Sequence, residues 1–347
     1  MNALKQEELQ QRILFAQHIT APADKRTVCR DLNGLQAQFV SNVRHALLIR
    51  SGEMLPETDW GTGLLKSWTI RGTMHIFSEE DLPLFLHNGR THTLRDVDHM
   101  GEDACVSAER KRQFADHILR CIGNGITTRE ELRDACFAAG MTETEAESIF
   151  NSWGGTIRAL AEEGRLAYKA QEKKAFCLCP PFVPMEKEAA QTELARRYFA
   201  HYGPATVKDA AYYFGVPQTV VKQWMARLPL TEISADGAPR YCLEEAPADL
   251  PAIPACVFLA GFDPLLLGYR KEESLFLSLD HLRAVFNLAG IVFPTVLLEG
   301  SVKAKWKRSG SKLLVTPFVP LTTREKQLVT DAAERTFGKL KSIVWEE

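Results

Sequence analysis

The sequence predicts a mainly α-helical chain with β-strands: tandem winged helix-turn-helix units followed by a small C-terminal β-barrel-like domain. Three observations carry this. A helix, turn, helix, strand order recurs three times before residue 244; Pro247, Pro251 and Pro254 then mark a linker; and the chain beyond is rich in short alternating runs. The implied units are 1–105, 106–188, 189–248 and 249–347. A length of 347 residues exceeds what one hydrophobic core usually fills, which also argues for several units.

The first unit opens with a helix over residues 4 to 19, where Leu4, Leu9, Ile13 and Leu14 alternate with Lys5, Glu7, Glu8 and Arg12. A second helix opens near Thr27. It leads into Asp31-Leu-Asn-Gly-Leu-Gln36-Ala-Gln38, and Val40, Val43 and Leu47 resume the helical period beyond it. The two glutamines fall at the seam. Two residues apart on one helix their side chains would diverge, so they converge only if the chain turns or runs extended there. Ser67 to Ile76 alternates strictly and reads as one half-buried strand, with Trp68, Ile70, Met74 and Ile76 on one side and Arg71, Thr73 and His75 on the other. Ser78 then caps a helix through Leu82, Phe85 and Leu86.

The second unit carries a doubled capping box at Thr127-Thr128-Arg-Glu130-Glu131 and a Gly140 stop. Helices from Thr142 to Phe150 and from about Ile157 to Ala161 follow, then two short strands around the basic tip Lys169, Lys173 and Lys174. The third begins with the helix ending at Arg196 to Pro204. Thr206 caps the next helix, Gly215 stops it, and Pro217 to Leu228 gives another; Ile233 to Leu243 forms a hairpin about Asp236-Gly237. In the last unit Ala255 to Ala260 is an apolar strand, and Gly290 to Leu298 with Ser301 to Trp306 is a hairpin about Glu299-Gly300. Val302, Ala304 and Trp306 face one way and Lys303, Lys305 and Lys307 the other. A helix from Thr323 to Phe337 precedes Ser342 to Trp345, which closes the sheet of a small barrel-like domain.

Composition excludes several classes. Hydrophobic residues make up 45% and charged residues 25%, and no apolar run is long enough to span a bilayer. The polar start, Met1 to Gln11, predicts no secretory leader, and the scattered eight cysteines fit a reducing cytoplasm better than a zinc framework or a disulfide scaffold. With 42 basic and 44 acidic residues the net charge is −2, so nucleic-acid binding needs a local basic surface. No clustered Asp, Glu and His motif supports a metal-dependent nuclease.

Several stretches taken together carry a resemblance: Gly34-Leu-Gln36-Ala-Gln38, Arg71-Gly-Thr-Met-His75, Arg197-Tyr-Phe-Ala-His-Tyr-Gly-Pro-Ala-Thr206, Phe262-Asp-Pro-Leu-Leu-Leu-Gly-Tyr269, and Val296-Leu-Leu-Glu-Gly300 with Trp306. In this order and spacing, over nearly the whole chain, they resemble the winged-helix DNA glycosylases of the AlkZ-like (YcaQ-related) family. The resemblance implies tandem winged helices and a β-barrel around a DNA channel, and removal of alkylated purines, interstrand crosslinks included. It also implies a catalytic Gln-x-Gln or Gln-x-Asp motif, which maps onto Gln36 and Gln38 in its two-glutamine form.

That implication fits the chemistry. An N7-alkylated purine is already cationic and leaves neutral without a general acid, so the enzyme need mainly place water and bind the DNA. A carboxamide can position water but is no strong base. Gln38 is therefore assigned to water positioning and sugar-charge stabilisation, with Gln36 assisting; read without the resemblance, the pair would be turn glutamines capping backbone groups. DNA contacts are expected from Arg44, His45, Arg71, Thr73, His75, Lys169, Lys173, Lys174, Lys303, Lys305 and Lys307, each with solvation or packing as its plain alternative. Asp263 before Pro264 suits an Asx-turn better than an acid. The reading is thus a monofunctional glycosylase acting on double-stranded DNA with alkylated purines. It is expected to be a monomer, without metal or organic cofactor, cytoplasmic and nucleoid-associated when bound to DNA. The alternative is a non-catalytic winged-helix DNA-binding or regulatory protein.

Overall fold

A computed structural model describes residues 5–53, 55–56, 60–90, 98–151, 154–235, 238–243 and 247–346. The chain partitions into two units, one of residues 1–55 with 191–347 and one of residues 56–190. The first unit starts with α1 (Gln6–Ala16), α2 (Lys25–Asp31), a two-residue extended segment β1 (Leu35–Gln36) and α3 (Val40–Ser51). α1 buries Leu9, Ile13 and Leu14, the face its periodicity marks. α2 begins two residues before Thr27, because the Asp24 carboxylate accepts from the backbone N–H groups of Arg26 and Thr27.

The second unit contains β2 (Leu64–Trp68), β3 (Met74–Ser78), α4 (Leu82–Phe85), α5 (Ala108–Gly123), α6 (Arg129–Ala138), α7 (Glu143–Ile149), α8 (Gly155–Glu162), β4 (Leu166–Lys169) and β5 (Phe176–Leu178). One expectation is corrected here. Residues 67–76 are not one strand but the two arms of a hairpin, since Arg71 (φ 57) and Gly72 (φ 64) are left-handed and Gly72 N–H donates to Thr69 O. Thr69 and Thr73 close the turn at 3.0 Å, and Ser67 pairs with His75 across the ladder. Within this unit the strands run β3-β2-β4-β5, each antiparallel to its neighbour. Helices α6 and α7 begin in capping boxes, Thr128 with Glu131 and Thr142 with Glu145. Phe114, Ile118, Leu132, Ile149, Leu160 and Phe176 form the core between helices and sheet.

The first unit resumes with α9 (Lys187–His201), α10 (Val207–Phe214) and α11 (Gln218–Met225), then the hairpin β6 (Thr231–Ala235) and β7 (Ala238–Cys242). Asp236 and Gly237, the expected hairpin turn, lie outside the described residues, but Ala235 pairs with Ala238. After β8 (Cys256–Leu259), α12 (Pro264–Leu267) and α13 (Leu282–Val285) come β9 (Thr295–Leu298), β10 (Ser301–Ser309), β11 (Lys312–Pro317), α14 (Thr323–Phe337) and β12 (Ser342–Trp345).

The expected barrel is also corrected. These strands form a sheet ordered β12-β11-β10-β9-β8, with no closure between β12 and β8 among the described residues. The reason lies in α14: it joins β11 to the parallel strand β12, as a crossover must, and packs Val329, Ala332 and Ala333 on the apolar face beside Phe258, Val296 and Ala304. A sheet whose apolar face is covered by a helix does not need to curl on itself. No helix among the described residues is long and apolar enough to cross a membrane.

Candidate active site

The seam between α2 and α3 is shaped by two successive left-handed residues, Asn33 (φ 55) and Gly34 (φ 77), and Gly34 N–H donates to Cys29 O at 2.7 Å. Together they stop α2 and send the chain out extended. The stop is anchored from below. Asn33 Nδ2 donates to Leu194 O (3.0 Å), and the hydroxyls of Tyr202 and Tyr213 donate to Leu32 O (3.0 and 3.3 Å). Tyr202 is itself stacked on Tyr198 at 5.0 Å.

Along the extended stretch burial alternates: Leu35 and Ala37 are buried, Gln36 is half-buried and Gln38 exposed. Gln36 ends the two-residue extended segment and Gln38 lies in the bend that follows, and both are less buried than Leu35 and Ala37. Among the described residues no hydrogen bond occupies either carboxamide. Each therefore offers an acceptor oxygen and a donor nitrogen to whatever lies against it.

α3 holds the other end of the seam. Arg50, fully buried, makes two hydrogen bonds to Asp263, Nη2 to Oδ1 at 2.6 Å and Nη1 to Oδ2 at 3.1 Å. Asp263 also caps α12, accepting from Leu265 N–H, so the Asx-type role read from the sequence is the one it plays. His45, half-buried on the same helix, donates from Nε2 to Phe258 O at 2.7 Å, and its ring lies 4.9 Å from Trp306 and 5.6 Å from Phe337. Burial pushes its pKa down to about 4. It is neutral at pH 7 and holds α3 to the C-terminal sheet.

The other expected DNA contacts divide. Arg44 is half-buried on α3. On β10, Lys303 sits where the ladder with β9 slips register, and its Nζ reaches Glu325 Oε1 at 2.6 Å; Lys305 lies over the Phe293 ring, and Lys307 is exposed. In the second unit Arg71 and Thr73 sit at the β2–β3 turn, Thr73 Oγ1 donating to Ile70 O at 3.0 Å. His75 is buried, with Nδ1 2.9 Å from Thr69 Oγ1 and 3.1 Å from Thr73 O, and burial lowers its pKa to about 4. Lys169, Lys173 and Lys174 are exposed at the β4–β5 tip. That tip and the Arg71 turn are not brought together: Lys169 pairs with Leu65 near the start of β2, whereas the Arg71 turn follows Trp68 at its end.

Two residues of the seam escape a reading by pattern. Phe39 follows Gln38 and is 50% exposed, its ring 6.1 Å from that of Phe262. Its aromatic type predicts burial, and only the bend before α3 reveals an apolar surface beside the glutamines. Arg50 is a lone cation in an apolar period, and its partner lies more than 200 positions away.

Comparison with known proteins finds relatives over nearly the whole chain. A protein named interstrand DNA cross-link repair glycosylase, from Streptomyces sahachiroi, is 25% identical over 343 residues, covering 90% of this chain and 91% of that protein. The solved structure of Streptomyces sahachiroi DNA glycosylase AlkZ superposes with a TM-score of 0.75 at 22% identity, over 100% of both chains. The model of the family described as DNA glycosylase AlkZ-like matches residues 29–337, a span that contains the glutamine seam, both anchoring tyrosines and the strands β8 to β11. The chain belongs to the AlkZ-like DNA glycosylase family.

Proposed function

We propose that this enzyme is a monofunctional glycosylase for N7-alkylated purines in double-stranded DNA, acting as a monomer, and that its range extends to unhooking interstrand crosslinks. The carrying observation is that the two glutamines are less buried than their neighbours Leu35 and Ala37 in a short connection between α2, whose end is anchored through Asn33, and α3, which is anchored through Arg50. Water attacks C1′ as the C1′–N9 bond breaks; the bond's electrons go to the cationic base, which leaves neutral, and the water's proton goes to solvent. Gln38 accepts a hydrogen bond from that water and turns its carbonyl dipole toward the sugar as positive charge develops there. Gln36 assists from the same connection. The crosslink extension rests on the name of the Streptomyces sahachiroi relative.

Helices α6 to α8 with the β4–β5 hairpin, and α10 and α11 with the β6–β7 hairpin, follow the order of winged helices. We read them, with the helices and hairpin of residues 1–105, as three DNA-binding scaffolds ahead of the C-terminal sheet. Arg44, Arg71, Thr73, Lys169, Lys173, Lys174, Lys305 and Lys307 are the proposed backbone contacts. His45 and His75, whose rings burial keeps uncharged, and Lys303, whose ammonium is paired with Glu325, leave this set.

The test is incubation of pure protein with duplex DNA containing N7-methylguanine, without added metal, followed by cleavage of abasic sites. Release of free base from an intact backbone supports the reading and excludes both a nuclease and a non-catalytic regulator. DNA binding with no base release contradicts it.

A further inference from the structure

Asp31 closes α2 five positions before Gln36, and its carboxylate lies between imidazoles from two other segments. His18, just past α1, holds Nε2 2.9 Å from Asp31 Oδ2. His201, the last residue of α9, holds Nε2 3.6 Å from the same oxygen. Each ring is fixed from its far side by a main-chain carbonyl, His18 Nδ1 on Ala21 O at 3.2 Å and His201 Nδ1 on Ala16 O at 3.1 Å. A carbonyl only accepts, so both Nδ1 atoms carry a proton and both Nε2 atoms face the carboxylate. Asp31 Oδ1 is engaged by Arg30 Nε at 3.0 Å, which leaves Oδ2 for the imidazoles.

This is the outer arrangement that orients metal-ligating histidines: one nitrogen tied to a carbonyl, the other presented to the ion. His18 is at hydrogen-bond distance from Asp31, whereas His201, at 3.6 Å, is within ion-pair reach but beyond a hydrogen bond. The three ligand atoms all lie within 4.8 Å of one another. Ligand bonds of about 2.0–2.2 Å in tetrahedral geometry separate ligand atoms by about 3.3–3.5 Å. The 2.9 Å pair must open by about 0.5 Å and the widest pair close by up to about 1.4 Å, which rotation of the three side chains supplies. His18 and His201 also line a cavity of about 410 Å³, walled by Arg12, Phe15, Pro204 and Cys242 among others, so a further coordination position has room.

We propose that His18 Nε2, His201 Nε2 and Asp31 Oδ2 bind one divalent transition cation of the zinc class. Two nitrogens and one carboxylate oxygen suit zinc, cobalt or a similar ion and not the all-oxygen preference of magnesium or calcium. Bound there, the cation ties the ends of α1, α2 and α9 together and fixes the residue from which the glutamine seam departs. It takes no part in breaking the glycosidic bond, and the assignment is independent of the role given to the glutamines. The dispersal of the three ligands over three elements explains why sequence spacing predicts no metal site.

The experiment uses the full chain, stripped with chelator and desalted, then titrated with Co²⁺ while the visible d–d absorption is followed. One equivalent should bind, with the band bleached by Zn²⁺. His18→Gln and His201→Gln should each weaken binding by at least the roughly 10–100-fold that loss of an outer-shell partner alone produces, while His117→Gln, which belongs to the other unit and is no member of the cluster, leaves it unchanged. Circular dichroism establishes that each variant is folded, and the titration of the unaltered chain does not depend on any variant. Absence of a one-to-one cobalt complex in the unaltered chain, or a complex indifferent to both His18→Gln and His201→Gln, overturns the proposal.

Discussion

Arg50 and Asp263 form a fully buried, two-bonded ion pair that joins the last turn of α3, the helix after the glutamines, to the turn before α12. Removing one partner strands the other charge without solvent. Arg50→Met is expected to cost about 3–5 kcal/mol. Adding Asp263→Asn, which removes the stranded charge yet can still accept from Leu265 N–H, should recover part of that loss. Urea denaturation of the single and double variants checks both statements; equal stability of single variant and parent would show that the pair does not hold α3.

Asn33 combines a left-handed backbone with a hydrogen bond to Leu194 O, and two substitutions separate these contributions. Asn33→Gly loses the hydrogen bond, about 1 kcal/mol, but relaxes the backbone. Asn33→Ala loses the bond and adds about 1–2 kcal/mol of left-handed strain. The ranking parent, then Gly, then Ala should appear in the denaturation midpoints, and an Ala variant as stable as the Gly variant would contradict the described turn.

Stability should fall on mild acidification. His45 and His75 have folded pKa values of about 4, below the unfolded value near 6.5, because burial disfavours their charged forms. The unfolded chain thus binds more protons through this window, so their contribution is complete above about pH 6.5 and is lost as pH falls toward about 4. Melting temperature measured from pH 7 to pH 5 should drop, with a shallower fall in His75→Asn. A profile flat across that range would show that neither ring is buried in neutral form.

The lysines of β10 should behave differently. Lys303 is paired with Glu325, whose carboxyl it holds down at about 2, whereas Lys307 is exposed. Lys307→Gln should lower the dependence of DNA affinity on log salt by about one unit, and Lys303→Gln should leave that slope near the parent value. Binding titrations at several salt concentrations distinguish them, and identical slopes for both variants would remove Lys307 from the interface.

Local periodicity carried much of the fold. The bounds of α14 and β12 match the residues that the sequence pattern marks, because a Thr322 cap and a clean helical period separate that helix from its neighbours. The turn at Arg71 and Gly72 was hidden because the alternation of Trp68, Ile70, Met74 and Ile76 continues across it. α5 escaped for a different reason: Lys111 is buried on its inward face, held by Gly101 O at 2.7 Å and by Asp103 at 2.8 Å, and so breaks the apolar stripe of Phe114, Ile118 and Ile122. At the candidate site the glutamine spacing alone required an extended or turning chain, and the structure has one. The partners that fix that segment, Leu194, Tyr202, Tyr213 and Asp263, come from distant sequence and leave no local trace.

The central claim is tested most directly by the rate of N7-methylguanine excision from duplex DNA by Gln38→Ala, measured beside its DNA affinity and its circular dichroism. Gln38 is exposed and makes no hydrogen bond among the described residues, so the variant should fold and bind DNA as the parent does while losing on the order of 10²-fold in excision. Excision at the parent rate would contradict the assignment of water positioning to this glutamine.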